Sequence, residues 1–223
     1  MSATSPTERD NFIWLLIALV TLLFSGALMQ QLELEDGASL INISISFTLL
    51  VAVWSMERRK AWYQSRIGLT VFIAAIGIGD YFLNSAGLSL LQLIFIFSFF
   101  SFTTLLACRQ ILFQGSVDLN KIIGAICIYI MMGLTWAFSY LLVEEIFPGS
   151  MLGFTEADWH ANLQDAVYYS FVTLTTLGYG EITPVQPLAR FLAYMEALTG
   201  QFYIAILVAS LIGIRLAKIR DGD

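Results

Sequence analysis

Long apolar stretches separated by short polar segments dominate the chain, and six of them approach the roughly 20 residues that a helix needs to cross a bilayer. These six stretches lie at residues 12–31, 39–56, 67–83, 87–108, 119–143 and 188–214. A seventh apolar segment, at 162–175, is too short to span and runs into a glycine-containing loop. A short helix that ends in irregular backbone is the pattern of a re-entrant segment. The hydrophobic pattern therefore predicts an all-α membrane protein with six transmembrane helices plus one re-entrant helix.

The composition of the chain supports this fold class. Of the 223 residues, 58% are hydrophobic and 13% are charged, whereas a soluble domain has about 25% charged residues. The net charge of −6 gives no reason to expect nucleic acid as a partner. Cys108 and Cys127 both fall in apolar segments, which predicts buried free thiols rather than a disulfide. With one histidine and no convergent polar triad, we expect neither an enzyme nor a bound cofactor.

The distribution of Lys and Arg predicts the orientation of the chain, because basic residues accumulate in cytoplasmic loops. Ten of the eleven basic residues fall on one side of the predicted membrane, and Arg190 is the exception. The ten are Arg9, Arg58, Arg59, Lys60, Arg66, Arg109, Lys121, Arg215, Lys218 and Arg220. Both termini are therefore predicted to be cytoplasmic, in a plasma membrane or a bacterial inner membrane.

The loop after the re-entrant segment carries the most specific motif, Thr176-Leu177-Gly178-Tyr179-Gly180. A dehydrated cation needs oxygen ligands, and rings of backbone carbonyl groups can supply them. Aiming successive carbonyl groups at one axis requires backbone outside the ordinary φ < 0 region, which glycine adopts without a Cβ penalty. In a soluble protein Gly-Tyr-Gly would more often be a turn. Between membrane segments, irregular backbone must be buried or line a water-filled path, which favours a cation pathway.

This loop and its flanking segments, from about residue 118 to 216, resemble the pore module of the tetrameric potassium channels. The resemblance includes Tyr168 and Tyr169, where many members carry aromatic residues behind the filter, and Thr175 before the motif. It implies potassium sites formed by the carbonyl groups of 176–179 and the Thr176 hydroxyl, with the Tyr179 side chain turned away from the ion. Two residues depart from the usual pattern: Leu177 replaces valine, and Glu181, a further residue of the filter support, replaces aspartate.

The resemblance also implies a domain organisation and an assembly. Because one chain supplies one strand of a carbonyl ring, we expect a homotetramer in membrane lipid, with potassium as the permeant ion. The expected units are a cytoplasmic tail (1–11), a four-helix peripheral domain (12–110), a linker (111–120), a pore domain (121–216) and a short cytoplasmic tail (217–223). Within the pore domain we expect an outer helix, a pore helix at 162–175, the filter at 176–180 and an inner helix at 188–214.

The inner helix contains candidates for gating. Gly200 lies where many family members have a hinge glycine, although a small residue for close helix packing is an equal alternative. Below it, Ile204, Val208 and Ile212 recur at four-residue spacing and so share one helical face. If that face lines the axis, these side chains from four subunits form an apolar ring that closes the ion path by dewetting. An apolar stripe in a membrane helix also suits contact with lipid.

Three polar residues near the pore helix carry further expectations. Glu196 is an ionisable residue inside a membrane segment, where such residues are rare. We expect it to accept hydrogen bonds behind the pore helix, with Gln201 as one partner, and a proton-sensing role is the alternative. Asn162 is expected to open the pore helix. His160 is expected to be a solvated residue of the outer loop.

The first four helices do not predict a conventional voltage sensor. The fourth carries no basic residue before Arg109 at its cytoplasmic end, whereas steep voltage dependence needs about 3–4 charges per subunit. The sequence therefore favours a potassium-selective channel with passive conduction that is not gated by voltage in the usual way. A weakly selective cation channel, a potassium transporter subunit and a non-conducting membrane receptor are the alternatives.

Overall fold

The computed structural model describes residues 12–32, 37–55, 60–83, 86–113, 119–155 and 158–220. Within these ranges the chain forms seven α-helices and one two-stranded antiparallel ribbon. The helices are α1 (Phe12–Gln31), α2 (Gly37–Ser55), α3 (Lys60–Leu83), α4 (Ala86–Phe113), α5 (Leu119–Ile146), α6 (Trp159–Leu174) and α7 (Pro187–Arg220). The strands are β1 (Met151–Leu152) and β2 (Thr183–Pro184). The fold is mostly helical, as the hydrophobic pattern predicts.

Four of the described helices are long and apolar enough to cross a membrane. Their candidate spans are Phe12–Gln31, Gly87–Arg109, Ile122–Ile146 and Pro187–Ser210. Helices α2 and α3 contain the shorter apolar segments Asn42–Val53 and Gly68–Gly79. The chain is therefore a membrane protein, and the count of six transmembrane helices stays a prediction.

The ends of the helices follow local chemistry. Helix α5 ends at Ile146, two residues before Pro148, which cannot continue a helix. Helix α7 begins with Pro187 in its first turn, where the missing amide proton costs nothing. It continues to Arg220, six residues beyond the predicted end. The predicted tail 1–11 lies outside the described residues, as do positions 114–118 of the predicted linker.

Helix α5 is the centre of the molecule, because it packs against α1, α4, α6 and α7. The first four helices are therefore joined to the C-terminal segment through the contacts of α1 and α4 with α5. Helices α1 and α2 also contact α6. The shared core includes fully buried residues from α1, α4 and α5, such as Leu15, Leu19, Phe99, Phe100 and Phe138. Large apolar side chains remain exposed on the outer helix faces, as expected for contact with lipid.

The prediction of buried free thiols holds for Cys127, whereas Cys108 is half-buried. Cys108 and Cys127 are free thiols, and Cys127 is buried. Its sulfur lies 3.5 Å from the carbonyl oxygen of Phe12, which places it between α5 and the start of α1. The thiol thus acts as a small core residue.

Candidate ion-conduction site

The outer end of α6 begins at Asp158, whose backbone is not yet helical (φ −50°, ψ 152°). Its carbonyl oxygen accepts the first helical hydrogen bond, from the Ala161 amide at 2.9 Å. Its carboxylate accepts hydrogen bonds from the Ser89 hydroxyl, at 2.8 Å, and from His160 Nδ1. Partial burial raises the pKa of the Asp158 carboxyl group, but the bonds and attraction from His160 and the bond from Ser89 outweigh burial, so the pKa is lowered overall.

Two polar residues of this region are placed differently from the sequence-based expectation. Helix α6 starts three residues before Asn162, whose buried side chain instead accepts from the Thr155 amide (2.8 Å) and donates to the Thr155 carbonyl (3.0 Å). His160 is 8% exposed rather than solvated. Its Nε2 lies 3.3 Å from Asn42 Oδ1, which also accepts from Gln92 Nε2 at 2.9 Å. The outer end of α6 is thus hydrogen-bonded to α2 and α4.

The inner end of α6 leads directly into the Thr-x-Gly-Tyr-Gly loop, and the backbone of this loop alternates between two conformations. Thr176, Gly178 and Gly180 have positive φ values of 59°, 62° and 95°, whereas Leu177 and Tyr179 between them do not. Thr176 is the only non-glycine residue with positive φ in the described part of the chain. Such a conformation is an outlier for a β-branched residue, and strain of this kind clusters at functional sites.

The start of the loop is fixed to the last turn of α6. The amides of Leu177 and Gly178 both donate to the Val172 carbonyl, at 2.9 and 3.3 Å. The Thr175 hydroxyl donates to the Phe171 carbonyl at 2.6 Å. Residues 175–180 are exposed in the single chain. The motif is therefore held at its helical end while its backbone faces open space.

The residues predicted to support the motif lie on both sides of it. The Tyr168 hydroxyl donates to Glu181 Oε1, which connects α6 to the segment that follows the motif. Tyr169 is buried, and its ring packs edge-on against the Tyr140 ring of α5, with centroids 4.9 Å apart. The first contact spans the loop, whereas the second anchors α6 to α5.

The segment that follows the loop is held in place by the β1–β2 ribbon. The Val185 amide donates to the Ser150 carbonyl at 2.8 Å. The Glu144 carboxylate accepts from the amides of Gly149 and Met151, at 2.7 and 2.9 Å, and so fixes the turn before β1. Since β2 follows Glu181 closely, the ribbon positions the outer end of the motif.

Helices α6 and α7 approach most closely at Gly200. A Cβ atom there would lie 2.4 Å from the Leu174 carbonyl oxygen, the last residue of α6. The same oxygen accepts from the Tyr129 hydroxyl of α5 at 3.3 Å. Close packing therefore requires glycine at position 200, and the hinge role stays a prediction.

One turn earlier on α7, Glu196 is fully buried between three helices. Its Oε2 lies 2.5 Å from the Tyr140 hydroxyl, and its Oε1 lies 2.5 Å from the Ser170 hydroxyl of α6. Gln201, the partner suggested by sequence, is exposed instead. A helix turns by about 100° per residue, so position 201 points away from the face that carries 196 and 200.

The predicted gate residues lie on the inner part of α7. Ile204 and Val208 are 44% and 49% exposed in the single chain. The side chain of Ile212 lies outside the described side chains. The exposed pair is available to line an axis or to contact lipid, and the gate stays a prediction.

Sequence reasoning did not find Ser170, Tyr140 or Gly133, which complete the cluster around Glu196. A hydroxyl in an apolar helix is too common to attract attention by itself. The signal was the buried carboxyl group, because such a group needs polar partners on the helices packed against it.

Comparisons with known proteins agree with this geometry. The ion channel family model matches residues 126–215. Over 95 residues, or 43% of this chain, the sequence is 35% identical to the inward rectifier potassium channel Kirbac3.1 of Paramagnetospirillum magnetotacticum, and the match covers 29% of that protein. Over 48 residues, or 22% of this chain, it is 40% identical to two pore potassium channel c of Oryza sativa subsp. japonica, covering 10% of that protein.

The chain thus matches less than a third of the length of either relative. No solved structure matches it. The matched segment runs from α5 to α7 and contains the Thr-x-Gly-Tyr-Gly loop with all of its contacts to α6. These matches show that the 126–215 segment resembles an ion channel domain and that the chain is similar to potassium channels over this part of its length.

Proposed function

We propose that the chain is one subunit of a homotetrameric channel that conducts potassium passively and selectively through the 176–180 loop. The observation that carries the proposal is the alternating backbone of this loop, with positive φ at Thr176, Gly178 and Gly180. Alternation of this kind directs successive carbonyl groups to one side of the chain. Four copies around an axis would then form stacked rings of oxygen atoms that replace the hydration shell of the ion.

The proposed ligands are the carbonyl oxygens of 176–179 together with the Thr176 hydroxyl. Tyr179 supports selectivity for potassium, since its ring can pack behind the carbonyl groups, so that backbone oxygen atoms alone line the ion path at this position. Helix α6 contributes electrostatically, because the negative end of its dipole lies at Leu174, next to the loop. Four such ends would stabilise a cation below the filter.

The proposed channel is not gated by voltage in the usual way. In the described part of the chain, α4 carries no basic residue before Arg109. A membrane potential of 100 mV supplies about 2.3 kcal/mol for each elementary charge that crosses the membrane, and steep voltage gating needs many such charges. Helices α1 to α4 instead offer surfaces for lipid, and both termini are proposed to be cytoplasmic.

Selectivity is tested with purified protein in planar bilayers under asymmetric potassium and sodium. The proposal expects unitary currents that reverse near the potassium equilibrium potential. A reversal near zero would indicate a weakly selective cation channel. Currents without unitary steps would indicate a transporter subunit, and the absence of any current from intact tetramers would indicate a non-conducting receptor.

The matched pair of variants is Gly178→Ala and Gly149→Ala. Both glycines have positive φ, 62° and 78°, and a Cβ atom would meet nothing within 4 Å at either position. Both substitutions therefore impose the same backbone strain without a clash. Only Gly178→Ala is expected to abolish potassium selectivity, because Gly149 lies in the turn before β1. Equal reversal potentials of the two variants under asymmetric potassium and sodium would contradict the assignment of the filter.

A further inference from the structure

The cluster behind the filter connects all three helices of the pore segment. Glu196 on α7, Ser170 on α6 and Tyr140 on α5 are each fully buried. Ser170 Oγ lies 2.5 Å from Glu196 Oε1 and also 2.6 Å from the Gly133 carbonyl oxygen of α5. Tyr140 Oη lies 2.5 Å from Glu196 Oε2. Two short oxygen–oxygen contacts therefore meet at the carboxyl group of Glu196, and a third joins Ser170 to α5.

Each of these contacts needs a proton. The Gly133 carbonyl can only accept, and the hydroxyl groups of Ser170 and Tyr140 carry one proton each. Tyr140 uses its proton on Glu196, so Ser170 has a single proton for two contacts. If Glu196 were ionised it could only accept, and one of the two contacts of Ser170 would join oxygen atoms with no proton between them. A carboxylic acid at Glu196 supplies the missing proton.

The surroundings of Glu196 also favour the neutral acid. The titratable groups that face it are Tyr129 and Tyr140 from α5 and Tyr169 from α6, and none of them is a cation. Among the described residues, no Lys, Arg or His forms an ion pair with it. An isolated charge in a membrane segment is expensive unless it is paired.

We propose that Glu196 is a neutral carboxylic acid that positions the pore helix. Its Oε1–H donates to Ser170 Oγ, the Ser170 hydroxyl donates to the Gly133 carbonyl, and Oε2 accepts from Tyr140. The chain of bonds thus runs from α7 through α6 to α5, and all three protons have an acceptor.

This arrangement sets the register between α6 and α7. Ser170 and Leu174 are one turn apart on α6, and their partners Glu196 and Gly200 are one turn apart on α7. Glu196 therefore fixes the first of two contacts, at Ser170. The second contact, between Gly200 and Leu174, lies two residues before Thr176. Glu196 acts on the filter through α6 and is a positioning residue, not a ligand of the ion.

The protonation state is measured without any current, by infrared difference spectroscopy of wild type against Glu196→Gln in proteoliposomes at neutral pH. The proposal expects a carbonyl band of a protonated carboxylic acid in wild type that Glu196→Gln removes. Ser170→Ala should shift this band to higher frequency, because the acid loses its acceptor. A carboxylate band in its place would overturn the proposal.

Conduction gives the second readout, and this arm rests on the proposed function. Glutamine keeps one donor and one acceptor in the positions of the acid, so Glu196→Gln should carry the current that wild type carries at neutral pH and keep it as the pH rises. Wild-type current should fall at alkaline pH, where the proton is lost. Ser170→Ala should lower open probability by about tenfold or more, because it removes both hydrogen bonds of Ser170, to Glu196 and to Gly133.

A Glu196→Gln tetramer that assembles but does not conduct, beside a conducting wild type, would overturn the positioning role. If wild type itself carries no potassium current, the proposed function fails, and the infrared measurement still decides the state of Glu196.

Discussion

Replacing Gly200 by alanine tests the close approach of the inner helix to the pore helix. The added Cβ atom would lie 2.4 Å from the Leu174 carbonyl oxygen and 2.9 Å from Leu174 Cδ1. The side chain of Leu174 can rotate, but its carbonyl is the last of α6 and also accepts from Tyr129. Relief therefore requires the two helices to separate by about 1 Å. Overpacking of this kind costs about 1–3 kcal/mol.

The expected result for Gly200→Ala is a protein that melts about 3–9 °C lower. Under the proposed function it also loses most of its potassium flux, because the displaced peptide lies two residues before Thr176. Thermal unfolding followed by tryptophan fluorescence and potassium efflux from liposomes measure the two effects. Gly68→Ala is the matched control, since it adds a Cβ atom to α3 with nothing within 4 Å.

If Gly200→Ala melts and conducts like Gly68→Ala, the close approach does not exist in the assembled channel and the reasoning is refuted. Unchanged melting with an altered open probability would instead support the hinge role of Gly200. The two outcomes differ because a clash destabilises the folded channel, whereas a stiffened hinge changes only the balance between its states.

Three further outcomes are expected. The pKa of Asp158 is lowered in the folded chain, so its bonds to Ser89 and His160 stabilise the fold at pH values above 3.8, the ordinary pKa of the group, and this stabilisation is lost as the pH falls below 3.8. The difference in melting temperature between wild type and Asp158→Asn should therefore shrink on acidification. A difference that stays constant with pH would contradict the assignment. Tyr168→Phe removes the bond to Glu181 and should accelerate the decay of current during sustained opening in single-channel records, while unchanged decay would show that the bond does not support the filter. Open probability should stay nearly flat between −100 and +100 mV, although this change of potential supplies about 4.6 kcal/mol for each charge that crosses the whole membrane. A steep dependence on voltage would require moving charges other than Arg109.

The sequence was sufficient to predict the helices that position the site, because hydrophobic periodicity and length decide whether a segment can be a membrane helix. It placed α1 at residues 12–31, as the structure does, and placed a short helix directly before the Thr-x-Gly-Tyr-Gly motif. Positive φ at Gly178 and Gly180 was expected as well, because aiming successive carbonyl groups at one axis requires backbone that glycine adopts without a Cβ penalty. Thr176 is different, since nothing in its chemistry predicts φ of 59°, which the surrounding structure imposes.

Contacts between helices could not be predicted, because they depend on which faces meet. Gly200 illustrates this: the sequence left a hinge and close helix packing as equal alternatives, and the distance to Leu174 that shows the close contact is a property of the packing of α6 on α7. His160 was expected in solvent because the sequence placed it in the outer loop. It is buried because α2 and α4 of the same chain reach the outer end of α6 and supply Asn42 as a polar neighbour.

Helix α5 contacts both ends of the pore helix, at Trp159 through Glu145 and at Leu174 through Tyr129, but hydrogen bonds to α2 and α4 occur at the outer end, and this limits how the peripheral helices can act on conduction. The inner end contacts α5 through Tyr129 and α7 through Gly200. The outer end contacts α4 through Ser89 and α2 through Asn42. A displacement of α2 or α4 must therefore break these outer hydrogen bonds or move the start of α6 with them. Since α6 is a rigid 16-residue helix that ends at the filter, such a movement would reach Thr176 without passing through the inner helix.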